Sequence, residues 1–86
     1  MDIADWRKKI DSIDQEVLRL LNERAHAASE IGKIKETTHA AVYEPDRERT
    51  IFANLHKANH GPLTHDDVTQ IYEQIIAIMR ELQTRR

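Results

Sequence analysis

The sequence predicts an all-α protein of three helices, one long and two shorter. Apolar residues recur at three- and four-residue steps along most of its 86 positions, the period of a helix with one buried face. The chain has two glycines and two prolines, and Gly61-Pro62 forms the one strong breaker pair. No segment reads as a strand.

The first helix is expected from about Asp5 to Glu36. Its stripe runs Trp6, Ile10, Ile13, Val17, Leu20 and Leu21, then continues through Arg24, Ala28, Ile31 and Lys35. Asp2 or Asp5 suits its N-cap. Gly32 is its weak point, costing about 1 kcal/mol relative to alanine, and a glycine there suggests that something packs close to the backbone. Residues 37–43 break the pattern and read as a loop. Pro45 suits the first turn of the second helix, with Asp46 and Glu48 near its positive end. Ile51, Phe52, Leu55 and Ala58 form its expected buried face, and Gly61-Pro62 ends it. Thr64 with Asp67 resembles a capping box that opens the third helix. That helix carries Val68, Ile71, Tyr72, Ile75, Ile76, Met79 and Leu82 at helical spacing.

The length of the first helix implies a partner. Its expected 32 residues span about 48 Å. A compact chain of this size has a radius of gyration near 12 Å, hence a diameter of about 30 Å. The overhanging stripe calls for the long helix of a second copy, so an intertwined homodimer is expected.

Composition narrows the function. The 13 basic and 15 acidic side chains give a formal charge of −2. That balance argues against a nucleic-acid or membrane-surface binder. The short basic runs Arg7-Lys8-Lys9 and Arg85-Arg86 lack a larger basic face or stacking aromatics. Cysteine is absent, which removes disulfides and thiolate metal sites. No 18-residue apolar run and no signal-peptide core is seen, so a cytoplasmic location is expected. His56 and His60 have a metal-compatible i, i+4 spacing but no clear third ligand; no metal and no cofactor is expected.

Arg24 and Lys35 carry the chemical signal. They occupy core-facing slots of the stripe, where charge needs compensation. Eleven residues at 100° return to within about 20° of the start, so both cations share a face, about 16 Å apart along the axis. An anionic ligand or a carboxylate from another helix would compensate them. The wider polar set is Arg7, Arg24, Lys35, Glu44, Arg47, Glu48 and Gln83. Packing of the three helices can bring Arg24, Lys35, Glu48 and Gln83 to one pocket. Several cations in a pocket suit a ligand with more than one carboxylate. Ordinary surface charges with buried stems are the competing explanation. No nucleophile–base pair, Gly-rich phosphate loop or paired-carboxylate motif is present.

Several segments, in order along the chain, resemble one family. Arg7 to Asp14, Leu20 to Arg24 and Ile31 to Lys35 resemble the first helix of the all-helical chorismate mutases. Tyr43-Glu44-Pro45-Asp46-Arg47-Glu48 resembles the loop and second-helix start. Ile75-Ile76 followed by Leu82-Gln83 resembles the end of the third helix. The resemblance covers nearly the whole chain, so residues 1–86 are expected to form one mutase domain. It implies the rearrangement of chorismate to prephenate without cofactor or covalent intermediate.

By position, the resemblance gives Arg7 and Arg24 the substrate carboxylates, and Lys35 and Gln83 the ether oxygen. Glu48 would accept from the ring hydroxyl, and Arg47 would support the substrate. Glu44 stands where the family often has Asp, its loop backbone expected to matter more than its side chain. Met79 stands where some members use Ser near the ring carboxylate. Arg7 and Arg24 are about 25 Å apart along one helix, so Arg7 is expected to come from the partner chain. An isochorismate pyruvate lyase of the same fold and a non-enzymatic helical dimerisation module are the rival expectations.

Overall fold

The computed structural model describes residues 1–85. Among these residues three helices appear in order: α1 (Ile3–Thr38), α2 (Pro45–Ala58) and α3 (His65–Leu82). Helix α1 is longer at both ends than the sequence pattern indicates. Asp2 is its N-cap, accepting from the Asp5 N–H at 2.9 Å, while the Asp5 carboxylate accepts from the Asp2 N–H at 3.2 Å. These reciprocal bonds satisfy two donors that a helix start leaves open. At the other end Thr37 and Thr38, expected in the loop, remain helical. Both hydroxyls donate to the Ile34 carbonyl. His39 then turns left-handed at φ 59° and sends its N–H back to the Lys35 carbonyl, the geometry of an αL C-cap.

Helix α2 starts at Pro45 as expected and ends at Ala58. The turn to α3 is tied by Asn59, whose amide donates to the Leu63 carbonyl and whose Oδ1 accepts from the Gly61 N–H. Gly61 takes φ 77° there, a backbone state open to a residue without Cβ. The Thr64–Asp67 capping box is present in both directions. The two Thr64 bonds, its backbone N–H first and its hydroxyl second, hold the Asp67 carboxyl below the usual range.

Helix α3 packs against α1 on one side and α2 on the other. Ala28, Ile76 and Met79 are the buried apolar residues, with Gly32 and Lys35 buried beside them. The close approach expected at Gly32 is the end of α3: a Cβ built there would lie 2.2 Å from the Gln83 carbonyl oxygen. The expected α2 face is buried only in part. Ile51, Phe52 and Leu55 are half-covered and Ala58 is exposed, because α2 leans on α3 alone. His56 helps join them, its Nε2 bonding the Thr69 hydroxyl at 2.9 Å and its ring stacking on His65.

The first 20 residues leave their apolar stripe bare. Trp6 is 51% exposed, Ile10 54%, Ile13 49% and Val17 46%. The chain extends 54 × 26 × 15 Å with a radius of gyration of 15.9 Å, well above the value of about 12 Å for a compact chain. Exposed ion pairs, Arg19 with Glu16 and Lys33 with Glu30, decorate the outer face of α1 and hold both carboxyls below their usual range.

Candidate active site

A cavity of about 270 Å³ opens where the C-terminal half of α1, the 42–44 loop, the start of α2 and the end of α3 meet. Its wall includes Arg24, Glu44, Arg47, Glu48, Met79 and Gln83. Six of the eight site residues expected from sequence therefore line one space. Lys35 sits immediately behind it, bonded to Gln83 and lining an adjoining cavity of about 360 Å³. Arg7 is exposed on the bare half of α1 and does not line the cavity of its own chain.

Lys35 is 8% exposed, and the structure compensates its charge in full. Its Nζ donates to the Gln83 Oε1 at 2.9 Å and the Val42 carbonyl at 3.0 Å, and pairs with the Glu44 Oε2 at 2.8 Å. An ammonium has three N–H donors, and three acceptors surround this one. Glu44 explains an irregularity of α2. It occupies the N-cap position yet makes no side-chain cap bond, because its carboxylate turns back to Lys35. The Glu44 side chain, expected to matter less than its backbone, thus reaches into the polar cluster. Because the Gln83 oxygen accepts from Lys35, the amide NH2 is what that side chain has to donate.

Glu48 is held by Arg80, a residue outside the set expected from sequence. Arg80 donates from Nη2 to the Glu48 Oε2 at 2.5 Å. Its guanidinium lies 4.7 Å over the Tyr43 ring, within cation–π range. Its Nε is buried without a hydrogen-bond partner among the described residues. A signal for Arg80 was present. It follows Ile76 by four positions and precedes Gln83 by three, so it shares the face on which Gln83 was found.

Arg24 and Arg47 differ from these cations. Both line the cavity, and neither forms an ion pair among the described residues. Two guanidiniums on a cavity wall, with no carboxylate answering them, suit an anionic guest that accepts in bidentate fashion. Met79 is buried against the cavity and offers a thioether, which has no hydrogen to donate. Among the described residues no group of three His, Cys, Asp or Glu is placed to hold a metal ion, and no helix is long and apolar enough to cross a membrane. Of the basic run at the end, Arg85 pairs with Glu81 at 3.3 Å; Arg86 lies outside the described residues.

Known proteins of similar sequence and fold point to one family. The family model of chorismate mutase type II matches residues 6–84. A bifunctional chorismate mutase/prephenate dehydratase of Aquifex aeolicus is 38% identical over 98% of this chain, which spans 24% of that protein. A chorismate mutase of Methanocaldococcus jannaschii is 36% identical over 64% of this chain and 56% of its own length. Among solved structures, form II of the chorismate mutase from Thermus thermophilus superposes with a TM-score of 0.95 at 31% identity, covering 98% of this chain and 96% of that one. The Helicobacter pylori chorismate mutase in complex with prephenate gives a TM-score of 0.87 at 30% identity, covering 94% and 88%.

Proposed function

The chain belongs to the chorismate mutase type II family, and from that premise we propose that it converts chorismate to prephenate as an intertwined homodimer. The observation that carries the reading is the pairing of two guanidiniums without an ion-pair partner among the described residues, Arg24 and Arg47, with the part-buried Lys35–Gln83 donor pair beside one cavity. Chorismate brings two carboxylates, an ether oxygen and a ring hydroxyl, and the cavity has a group for each.

The reaction is an intramolecular [3,3] shift. The ether C–O bond breaks as a C–C bond forms, and no atom leaves or enters. Catalysis then reduces to holding the compact conformer and stabilising the charge that grows on the ether oxygen. Arg24 and Arg7 of the partner subunit hold the carboxylates, with Arg47 in support. Lys35 and Gln83 donate to the ether oxygen from fixed positions, so little reorganisation accompanies the transition state. Glu48, steadied by Arg80, accepts from the ring hydroxyl. Met79 supplies packing under the ring.

Two features support the dimer. The bare stripe from Trp6 to Val17 needs a cover, and a second α1 offers the same face by two-fold symmetry. The rise of α1 puts Arg7 about 25 Å from Arg24, beyond the reach of one chorismate. An assay of chorismate loss, with isochorismate offered in parallel, tests the reading. Prephenate from chorismate is expected. Pyruvate from isochorismate, with chorismate untouched, would make the protein a lyase. No turnover of either, and no ligand-induced rise in Tm, would leave a dimerisation module.

A further inference from the structure

Resting on the proposed mutase reading, we infer that Gly32 is a positioning residue for catalysis, setting the geometry of the Lys35–Gln83 donor pair. Gly32 is buried near the C-terminal end of α1, still inside the helix, where glycine costs helix stability relative to alanine. What the position requires is the absence of a Cβ. A Cβ would meet the Gln83 carbonyl oxygen at 2.2 Å, its Cα at 2.6 Å and its carbonyl carbon at 2.7 Å. All three are backbone atoms, so no side-chain rotation relieves the clash. The helix ends would have to part by a substantial fraction of an ångström.

The residue that would be pushed away is the one whose side chain the site needs. Gln83 is the C-cap of α3, its N–H bonded to the Arg80 and Glu81 carbonyls. Its backbone therefore moves with the helix end. Gly32 and Lys35 are three positions apart on one face of α1, so the contact at Gly32 and the 2.9 Å bond from Lys35 to Gln83 belong to one arrangement. Pushing Gln83 off Gly32 lengthens the Lys35–Gln83 bond and withdraws the neutral donor from the ether oxygen. The carboxylate-binding arginines stand on other parts of the wall and keep their places. The expected signature is a fall in kcat with little change in KM, since the lost contact belongs to the transition state.

The experiment is a double-mutant cycle of Gly32→Ala and Gln83→Ala, with Leu55→Ala on α2 as a destabilised control outside the cavity. Gly32→Ala is expected to lower kcat about as far as Gln83→Ala does. Adding it to Gln83→Ala should change kcat by less than about twofold, because both remove the same donor. Leu55→Ala, assayed below its Tm, should keep its kcat. Losses that multiply, a KM effect that dominates, or an equal loss in Leu55→Ala would each overturn the inference. If wild-type protein shows no mutase activity, the functional reading fails, and the positioning claim is then judged by NMR. There the Gln83 side-chain amide resonance should shift in Gly32→Ala. Should that variant not fold, the wild-type protein decides: an NOE between the Gly32 and Gln83 Hα protons is expected, and its absence overturns the contact.

Discussion

Replacing Glu44 with alanine should separate two quantities that usually move together, stability and ligand affinity. Lys35 spends its three donors on Val42, Gln83 and Glu44. A ligand oxygen that accepts from Lys35 must displace one of them. Val42 offers a backbone carbonyl, and Gln83 is the companion donor. Glu44 is the labile partner, since its side chain is 52% exposed while that of Lys35 is 9% exposed. A charge-assisted bond to a buried ammonium contributes about 1.5–3 kcal/mol; half-exposure of the carboxylate discounts this to about 1 kcal/mol. Glu44→Ala should therefore lower Tm by about 4–8 °C, compared at one protein concentration because a dimer's Tm depends on it. The same free energy no longer opposes the ligand, so prephenate should bind about fivefold tighter. Circular dichroism and titration calorimetry read the two effects. If prephenate binds Glu44→Ala no better, or more weakly, Glu44 is not the partner that yields.

Lys35→Ala should leave the helices formed but lower kcat by about two to three decades, the loss expected for one preorganised donor to a developing oxyanion; near-normal kcat would remove Lys35 from the chemistry. Arg80→Met should raise KM for chorismate, with kcat/KM falling about fivefold, because Glu48 loses a partially screened partner of about 1 kcal/mol; steady-state kinetics with unchanged KM would contradict this. Asp67 carries a pH prediction. Its carboxyl is held below its ordinary value by Thr64, so its contribution is present above the unfolded pKa and lost as pH falls toward the folded one. Asp67→Asn should flatten the loss of Tm below about pH 4, and an unchanged acid slope would show that the capping box does not titrate with folding.

Much of this arrangement was legible in local sequence. Pro45, Gly61-Pro62 and the Thr64–Asp67 box mark helix ends by chemistry within four residues, and they fall where expected. The exit of α1 was harder to place. Thr37 and Thr38 are weak helix formers, and it is the left-handed turn at His39 that closes the helix after them. The charged slots of the stripe located the cavity because burial makes a cation informative. Lys35 is deeply buried, Arg24 half-buried. What the stripe could not convey was long-range partnership. Glu44 reaches Lys35 across a loop, and Arg80 reaches Glu48 over 32 positions. Those pairings depend on how the helices close on one another, which no local spacing encodes.

A site built from two chains makes a prediction about mixed dimers that a site within one chain does not. Arg7→Ala and Lys35→Ala should each be nearly inactive as homodimers. If Arg7 serves the cavity of its partner, a mixed dimer holds one site with both substitutions and one with neither. Co-refolding equal amounts should make about half the dimers mixed, restoring activity to about a quarter of wild type per chain. Recovery to that level, with mixed dimers counted by native mass spectrometry, is the predicted result. Mixed dimers without recovery would place Arg7 and Lys35 in the same chain's site, contradicting the separation of about 25 Å between Arg7 and Arg24 on which the shared site rests.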